Sequence, residues 1–350
     1  MRPEIRLGDR TISDDSPCFL VAEIGHNHSG DLDTAKLLID KAVACGAHAV
    51  KTQKRTNASL YTRAMLDRPY ENRNSFGKTY GEHREALELG RDEYLELIKY
   101  AESKGIVFFA TAFDFEAVDF LEDVNAPAYK IASGDVTNTP LIQYIAQTGK
   151  PVFMSTGAAT MDEVKVGYRA LRERNSRIAL LQCTAEYPVQ DYSELDLNVI
   201  QTYREEFPDA IIGYSGHENG IVMPVVAYVL GARVVEKHFT LNRAMKGTDH
   251  SFSLEPPGLA RVARDLERAR LALGSHEKRF YVAEREARHK MGKSITLKLD
   301  LPAGAELTAD LVTFKSPGDG IPPSELDHVL GRTLTRDLPE DTQLVWEHLK

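Results

Sequence analysis

One pattern repeats eight times between residues 17 and 274 and leaves few folds open. A short apolar, β-branched run is followed each time by a stretch with the amphipathic period of a helix. The runs cover 18–24, 48–53, 106–111, 128–133, 151–156, 177–183, 210–215 and 233–239. Helical patterns lie between them, for example over 32–46, 91–105 and 161–174. Gly46, Gly105 and Gly149 stand where helices end, since glycine takes the left-handed cap without steric cost. Strands that alternate with helices pair in parallel, and eight such units match the length of a closed (β/α)8 barrel, the TIM barrel. The rival is a doubly wound open sheet, which opens with G-x-G-x-x-G after its first strand. Here that turn reads EIGHNHSGD over 23–31, which does not fit. The expected class is therefore α/β, with a (β/α)8 barrel over residues 1–274.

Residues 55–90 interrupt the second unit with a polar segment rich in Arg, Asn and Tyr. Long loops after barrel strands lie on the active-site face, so this one is expected to cover substrate. Residues 275–290 are highly charged and read as an exposed helix or linker. From 291 to 350 the chain has short strand patterns, the turn signals LPAG, SPGDG and GIPP, and no long helix, which predicts a small mainly-β domain. The segment MGKS at 291–294 is not a phosphate-binding P-loop, because the required earlier glycine would fall at Ala287.

Composition removes other classes. The 43 basic and 52 acidic residues leave a net charge of −9, which argues against nucleic acid as partner. No run of about 18 apolar residues exists, so no membrane-spanning helix is expected. The first residues, MRPEIRLGDRTISDD, lack the apolar core of a secretory signal. Cys18, Cys45 and Cys183 are odd in number and widely spaced, which fits reduced thiols and a cytoplasmic location.

In a barrel the C-terminal ends of all strands converge on one site. The residues there are Glu23; Lys51 and Gln53; Thr111; Lys130, Ser133 and Asp135; Ser155 and Thr156; Thr184 and Tyr187; Ser215 and His217; Glu236 and His238. Burying a lone ammonium costs several kcal/mol, so Lys51 and Lys130 require either an internal carboxylate such as Glu23 or a bound anion. The loops at Ser133-Gly134 and Ser155-Thr156-Gly157 each precede a helix, whose first N–H groups favour phosphate or carboxylate. Together these features point to a small, multiply charged anion. His217 and His238 end neighbouring strands. Either they share one divalent ion that keeps open positions for substrate, or one caps and the other packs in the core. Asp135 is a candidate general base held ionised by a nearby cation, or a cap for the helix near Thr139. His26-Asn27-His28 is also how a metal-dependent amidohydrolase begins, but the strand ends where that fold needs histidines carry Ser155 and Thr184.

The segments VAEIGHNHSGDLDTAKLLIDKAVACGAHAVKTQ, FFATAFDFEAVDFLEDVNAPAYKIASGDVTNTPLI, VFMSTGAAT, LLQCTAEYPV, IIGYSGHENG and VVEKHFTL occur in that order. In these motifs the chain resembles the sialic acid synthase (N-acetylneuraminate synthase) family, including members like spore coat polysaccharide biosynthesis protein E. The tail KSPGDGIPPSELDHVLGRTL resembles that family's antifreeze-like (SAF) domain. The resemblance implies a transferase that condenses phosphoenolpyruvate with the aldehyde of an N-acyl hexosamine such as N-acetylmannosamine. The products are a nine-carbon 2-keto-3-deoxy sugar acid and phosphate, with C–O cleavage. It implies that Lys51, Gln53, Thr111, Lys130, Ser133 and Ser155 hold phosphoenolpyruvate and that His217 and His238 bind a divalent ion, Mn2+ or Mg2+. Glu23 would lie near the metal and the reacting carbons, and Asp135 would activate the water that attacks C2. Tyr187, Ser215 and Asp249 would shape the sugar side. A domain-swapped homodimer is implied as well.

Three positions depart from the family pattern, among them Asp135, which replaces the longer Glu found in some members. Ser316 stands where the family has Arg in its K-R-P-G turn, and Ala185 replaces a polar residue. The acceptor is therefore open to a different or phosphorylated aldose. Lys54, Arg55, Arg63, Arg68, Arg73 and Arg84 lie in or beside the insertion. They either meet a far phosphate or form a solvated loop face. A binding protein that has lost catalysis is the remaining reading.

Overall fold

The computed structural model describes residues 3–350. The chain divides into two compact units, one ending at Gly274 and the other beginning at Ser275. In the first unit, eight parallel strands close into a barrel: β3 (Phe19–Gly25), β4 (Ala49–Lys54), β5 (Val107–Ala112), β6 (Tyr129–Ile131), β7 (Val152–Ser155), β8 (Ile178–Cys183), β9 (Ile211–Gly216) and β10 (Val234–His238), with β10 pairing back onto β3. This is the expected (β/α)8 architecture. Before it lies an antiparallel hairpin, β1 (Ile5–Leu7) with β2 (Arg10–Ile12). Periodicity did not reveal this hairpin, because its strands are three residues long and draw their burial from the barrel rather than from their own pattern.

Alternation along the strands divides the barrel interior into two zones. Side chains two residues apart share a face. Phe19 and Val21, Ala49, Phe109, Phe153, Ala179 and Leu181, Ile211 and Val234 form one buried cluster, and Ile5, Leu7 and Ile12 of the hairpin join it. The same inward rows continue toward the C-terminal ends as Glu23, Lys51, Thr111, Lys130, Ser155, Ser215 and Glu236, all buried. The barrel is therefore oily at its base and polar at its top. β9 carries Gly213 where the wall is tightest: a Cβ there would lie 2.3 Å from Leu181 Cδ2 and 2.8 Å from the carbonyl of Val234.

A second, larger cluster fills the space between strands and helices. Its helices in chain order begin with α1 (Leu32–Ala44), capped by Asp31 accepting from the N–H of Thr34. The insertion follows as three short helices, α2 (Asn57–Leu60), α3 (Arg63–Leu66) and α4 (Tyr80–Glu85), rather than one open loop. A capping box between Thr79 and Glu82 starts α4. Tyr61, Tyr70 and Tyr80 pack edge-to-face around it. The outer helices continue with α5 (Arg91–Ser103), α6 (Phe115–Asp123), α7 (Thr139–Gln147), α8 (Met161–Arg172), α9 (Val199–Glu206), α10 (Val222–Val229) and α11 (Pro256–Leu273). No helix among the described residues is long and apolar enough to cross a membrane. All three cysteines are free and buried.

The second unit starts with exposed, mostly irregular chain and a short helix, α12 (Arg285–Met291). Beyond it β11 (Ser294–Leu297) pairs antiparallel with β12 (Val312–Lys315), and one short helix follows, α13 (Leu326–Val329). Ile295, Leu297, Leu307, Val312, Val329 and Leu344 form a core of its own.

Candidate active site

The polar rows meet in a cavity of about 570 Å³ at the C-terminal end of the barrel. Glu23, Lys51, Gln53, Thr111, Lys130, Ser133, Ser155, Tyr187, Ser215, His217, His238 and Asp249 all line it.

At its floor the two lysines are held by carboxylates. Lys51 Nζ lies 2.7 Å from Glu23 Oε2 and donates to Thr111 Oγ1 at 2.9 Å. Lys130 Nζ donates to Ser155 Oγ at 2.6 Å. Both ammoniums stand 3.7 Å from one oxygen of Glu236, which Ser215 also approaches at 3.3 Å. Glu236 is thus the shared counter-ion, a role that sequence reasoning did not assign. Its signal was present, since Val234, Glu236 and His238 fall on one face of β10. Burial alone would raise the Glu236 pKa, but Lys130 and Lys51 outweigh it and hold the carboxyl below its ordinary range. Burial lowers the pKa of Lys130 despite that partner. Glu236 Oε2 is buried without a hydrogen-bond partner and is free for a ligand or water.

Ser133 Oγ accepts from the N–H of Gly157 at 3.0 Å and so links the two loops expected to bind an anion. Thr156 does not contribute its hydroxyl, which donates to the carbonyl of Leu181 and accepts from Tyr203. Asp135 is the exception among the expected site residues, because it is not part of the cavity lining. It lies in a 3-10 turn and accepts from Asn138 Nδ2 at 3.1 Å, and Asn138 is the residue that caps α7. Burial raises the Asp135 pKa, with Asn138 and Arg55 offsetting part of the effect. Arg55 is thus a cation that favours the ionised carboxylate, while burial works against it.

The two histidines do come together, with ring centroids 5.3 Å apart. His217 Nδ1 lies 2.9 Å from the carbonyl of Thr184, so Nδ1 carries the proton and Nε2 keeps its lone pair. Burial, followed by the neighbouring His238, holds the His217 pKa down to about 3. His238 Nδ1 is buried without a hydrogen-bond partner and lies 3.9 Å from Asp249 Oδ2. No group of three or more His, Cys, Asp or Glu among the described residues is arranged to hold a metal ion. The donor set fits an ion bound by the two imidazoles that completes its shell from substrate and water. Tyr187 packs at a tilt against His217 at 4.1 Å, and Phe252 packs edge-on to His238 at 4.8 Å.

The insertion contributes more than a cover. Arg63, Arg68 and Arg73 are exposed, as a solvated loop face requires. Arg55 and Arg84 instead line the cavity together with His26 and Phe113. Their positions depend on how the insertion folds back, which no local pattern encodes. Lys54 is also buried, paired with Glu88 at 3.0 Å.

Comparison with known proteins agrees with this geometry. Residues 38–278 match the NeuB family and residues 292–350 the SAF domain. The chain is 42% identical to human N-acetylneuraminate-9-phosphate synthase, covering 97% of this chain and 94% of that protein. It is 36% identical to the N,N'-diacetyllegionaminic acid synthase of Legionella pneumophila, covering 95% of each. A solved N-acetylneuraminic acid synthetase from Leptospira borgpetersenii superimposes with a TM-score of 0.70 at 33% identity, covering 82% of this chain and 95% of that one. The chain belongs to the NeuB family of sialic acid synthases, carbon–carbon bond-forming transferases, and carries a SAF domain after its barrel.

Proposed function

We propose that this protein condenses phosphoenolpyruvate with the aldehyde of an N-acyl hexosamine or a related aldose. The products would be a 2-keto-3-deoxy sugar acid and inorganic phosphate. The observation that carries the reading is the pair of buried ammoniums, Lys51 and Lys130, sharing Glu236 beside two bare imidazoles.

Lys51 and Thr111 suit the carboxylate of phosphoenolpyruvate. Lys130, Ser133 and Ser155 suit its phosphate, since charge-assisted hydrogen bonds from a dry floor are strong. C3 of the enol attacks the aldehyde carbon and forms the new bond; the aldehyde's C=O π bond opens to an alkoxide that takes a proton from water, and C2 is left oxocarbenium-like. Glu23 faces that centre and stabilises positive charge on it. Water adds to C2, and Glu236 Oε2 is the free carboxylate oxygen able to take its proton. The C2–O bond then breaks and phosphate leaves. His217 and His238 would hold a divalent ion, Mn2+ or Mg2+, which when bound acts as a Lewis acid toward the acceptor's carbonyl. Tyr187 and Asp249 flank the acceptor. Ser316, where the family has Arg, is engaged by Lys293 Nζ at 2.7 Å.

The reading includes a homodimer in which each SAF domain serves the partner's barrel. Exposed Phe280, Tyr281 and Val282 near the start of the second unit support an interface there, and light scattering measures it.

The test is phosphate release from phosphoenolpyruvate with Mn2+ and a panel of aldoses in 18O-labelled water. Release that requires one aldose, with the label in the sugar acid and none in the phosphate, is expected. Labelled phosphate, or no release with any aldose, overturns the reading.

A further inference from the structure

Glu218 and Lys237 form a second buried ion pair, which the proposed chemistry does not use. Both are 1% exposed, as is Tyr214 beside them. None of the three lines the cavity. Lys237 sits between Glu236 and His238 on β10, and alternation turns it toward the helices while those two face the cavity. Its Nζ donates to Glu218 Oε1 at 2.9 Å and to the backbone carbonyl of Glu218 at 2.7 Å. Tyr214 of β9 donates to Glu218 Oε2 at 2.6 Å. Gly216 leaves room for that carboxylate, since a Cβ there would lie 2.5 Å from Glu218 Oε2.

Each half of the pair is the chain neighbour of an imidazole. Glu218 follows His217, and Lys237 precedes His238. The register between β9 and β10 ends with Lys237 opposite Gly216, one residue short of both histidines. His238 is still held from the other edge of β10, where it stands opposite Glu23 of β3. His217 lies past the end of its strand, and its ring is anchored to the carbonyl of Thr184 beyond β8. The Lys237 ammonium therefore ties the two chains together where the ladder stops. It grips a backbone carbonyl as well as a carboxylate, and so fixes the main chain next to His217.

Replacing a buried ion pair with apolar residues of similar volume is often neutral or stabilising, so what the charges add is a fixed geometry. Resting on the ion site proposed above, we propose that Lys237, Glu218 and Tyr214 form a positioning unit, which sets the spacing of His217 and His238 so that both imidazoles reach one divalent ion. These residues touch neither substrate nor ion; they act through the main chain.

The test separates positioning from stability in the full chain. It uses the Lys237→Met, Glu218→Leu double variant, with Tyr214→Phe as a milder second one. Urea unfolding of metal-free protein reads stability, electron paramagnetic resonance reads Mn2+ affinity, and calorimetry reads phosphoenolpyruvate binding without metal. The double variant is expected to unfold close to the wild-type midpoint, yet to bind Mn2+ about 10–100-fold more weakly, as when partners that orient metal ligands are lost. Phosphoenolpyruvate binding should stay unchanged, because Lys51 and Lys130 keep their partners. Tyr214→Phe loses one hydrogen bond to a charged group and should weaken Mn2+ by at least about threefold. Wild-type Mn2+ affinity in both variants overturns the proposal. So does a parallel loss of Mn2+ and phosphoenolpyruvate binding, which marks general loosening of the barrel.

His217→Ala and His238→Ala tell the two readings apart. If wild type binds Mn2+ no better than these variants, the ion site fails, and the positioning claim is decided without metal. In metal-free protein labelled with 15N-histidine, the ring resonances of His217 and His238, assigned from the alanine variants, should then move in the double variant. That of His48, which packs on Phe19 at the base of the barrel, should not. Unmoved His217 and His238 rings overturn the proposal.

Discussion

Glu236→Gln removes one charge and almost no volume from the floor of the barrel. At 3.7 Å and an effective dielectric constant near 20, Glu236 attracts each ammonium by about 4.5 kcal/mol. The carboxylate's own burial cost, several kcal/mol, disappears with it. The two lysines then fare differently. Lys51 keeps Glu23 at 2.7 Å, whereas Lys130 is left with Ser155 and a backbone carbonyl. Breaking a buried pair by removing one partner costs about 3–5 kcal/mol. For a unit of this size that lowers the melting temperature by roughly 5–9 °C. The site also gains a net positive charge, so inorganic phosphate at millimolar concentration should raise the melting temperature of the variant more than that of wild type. Differential scanning calorimetry at pH 7.5, with and without phosphate, reads both effects. A variant that melts within about 1 °C of wild type and responds to phosphate equally would refute the claim that Glu236 neutralises both lysines.

Three further outcomes follow from the same geometry. Lys237 Nζ pairs with Glu218 Oε1 at 2.9 Å, both side chains being fully buried, and Tyr214 donates to the second carboxylate oxygen at 2.6 Å. Lys237→Met alone should cost about 3–5 kcal/mol, whereas adding Glu218→Leu should recover most of the loss, as a double-mutant cycle by urea unfolding would measure. His28 and His217 have pKa values lowered to about 4 and about 3 by burial, against 6.5 unfolded. The unfolded chain binds the extra protons, so stability falls as pH drops below 6.5, by about 2 kcal/mol per histidine between pH 7 and 5. Metal-free protein whose unfolding free energy stays flat over that range contradicts this. His217→Ala with His238→Ala should weaken Mn2+ binding at least 100-fold by electron paramagnetic resonance titration, an estimate based on the loss of both imidazole ligands. Unaltered binding would place the ion elsewhere.

Periodicity and local chemistry carried much of this protein's description. Eight alternating units in one chain dictate a closed parallel sheet, because each strand must be buried on both faces and each helix on one. Period-two alternation then puts Glu23, Lys51, Thr111, Lys130, Ser155, Ser215 and Glu236 in line with the apolar residues below them, so most of the cavity floor was legible before any coordinate. Tertiary structure decided what these residues do for one another. Glu236 became the counter-ion of two lysines because strands distant in sequence close on each other, and Asp135 turned to support the cap of α7 rather than the cavity. Arg55 and Arg84 looked like Arg63, Arg68 and Arg73 in the sequence. Only the folding of the insertion buried Arg55, half-buried Arg84 and left the other three in water. Charge, spacing and hydropathy are properties of the chain, whereas the partner of a buried charge is a property of whatever packs across from it.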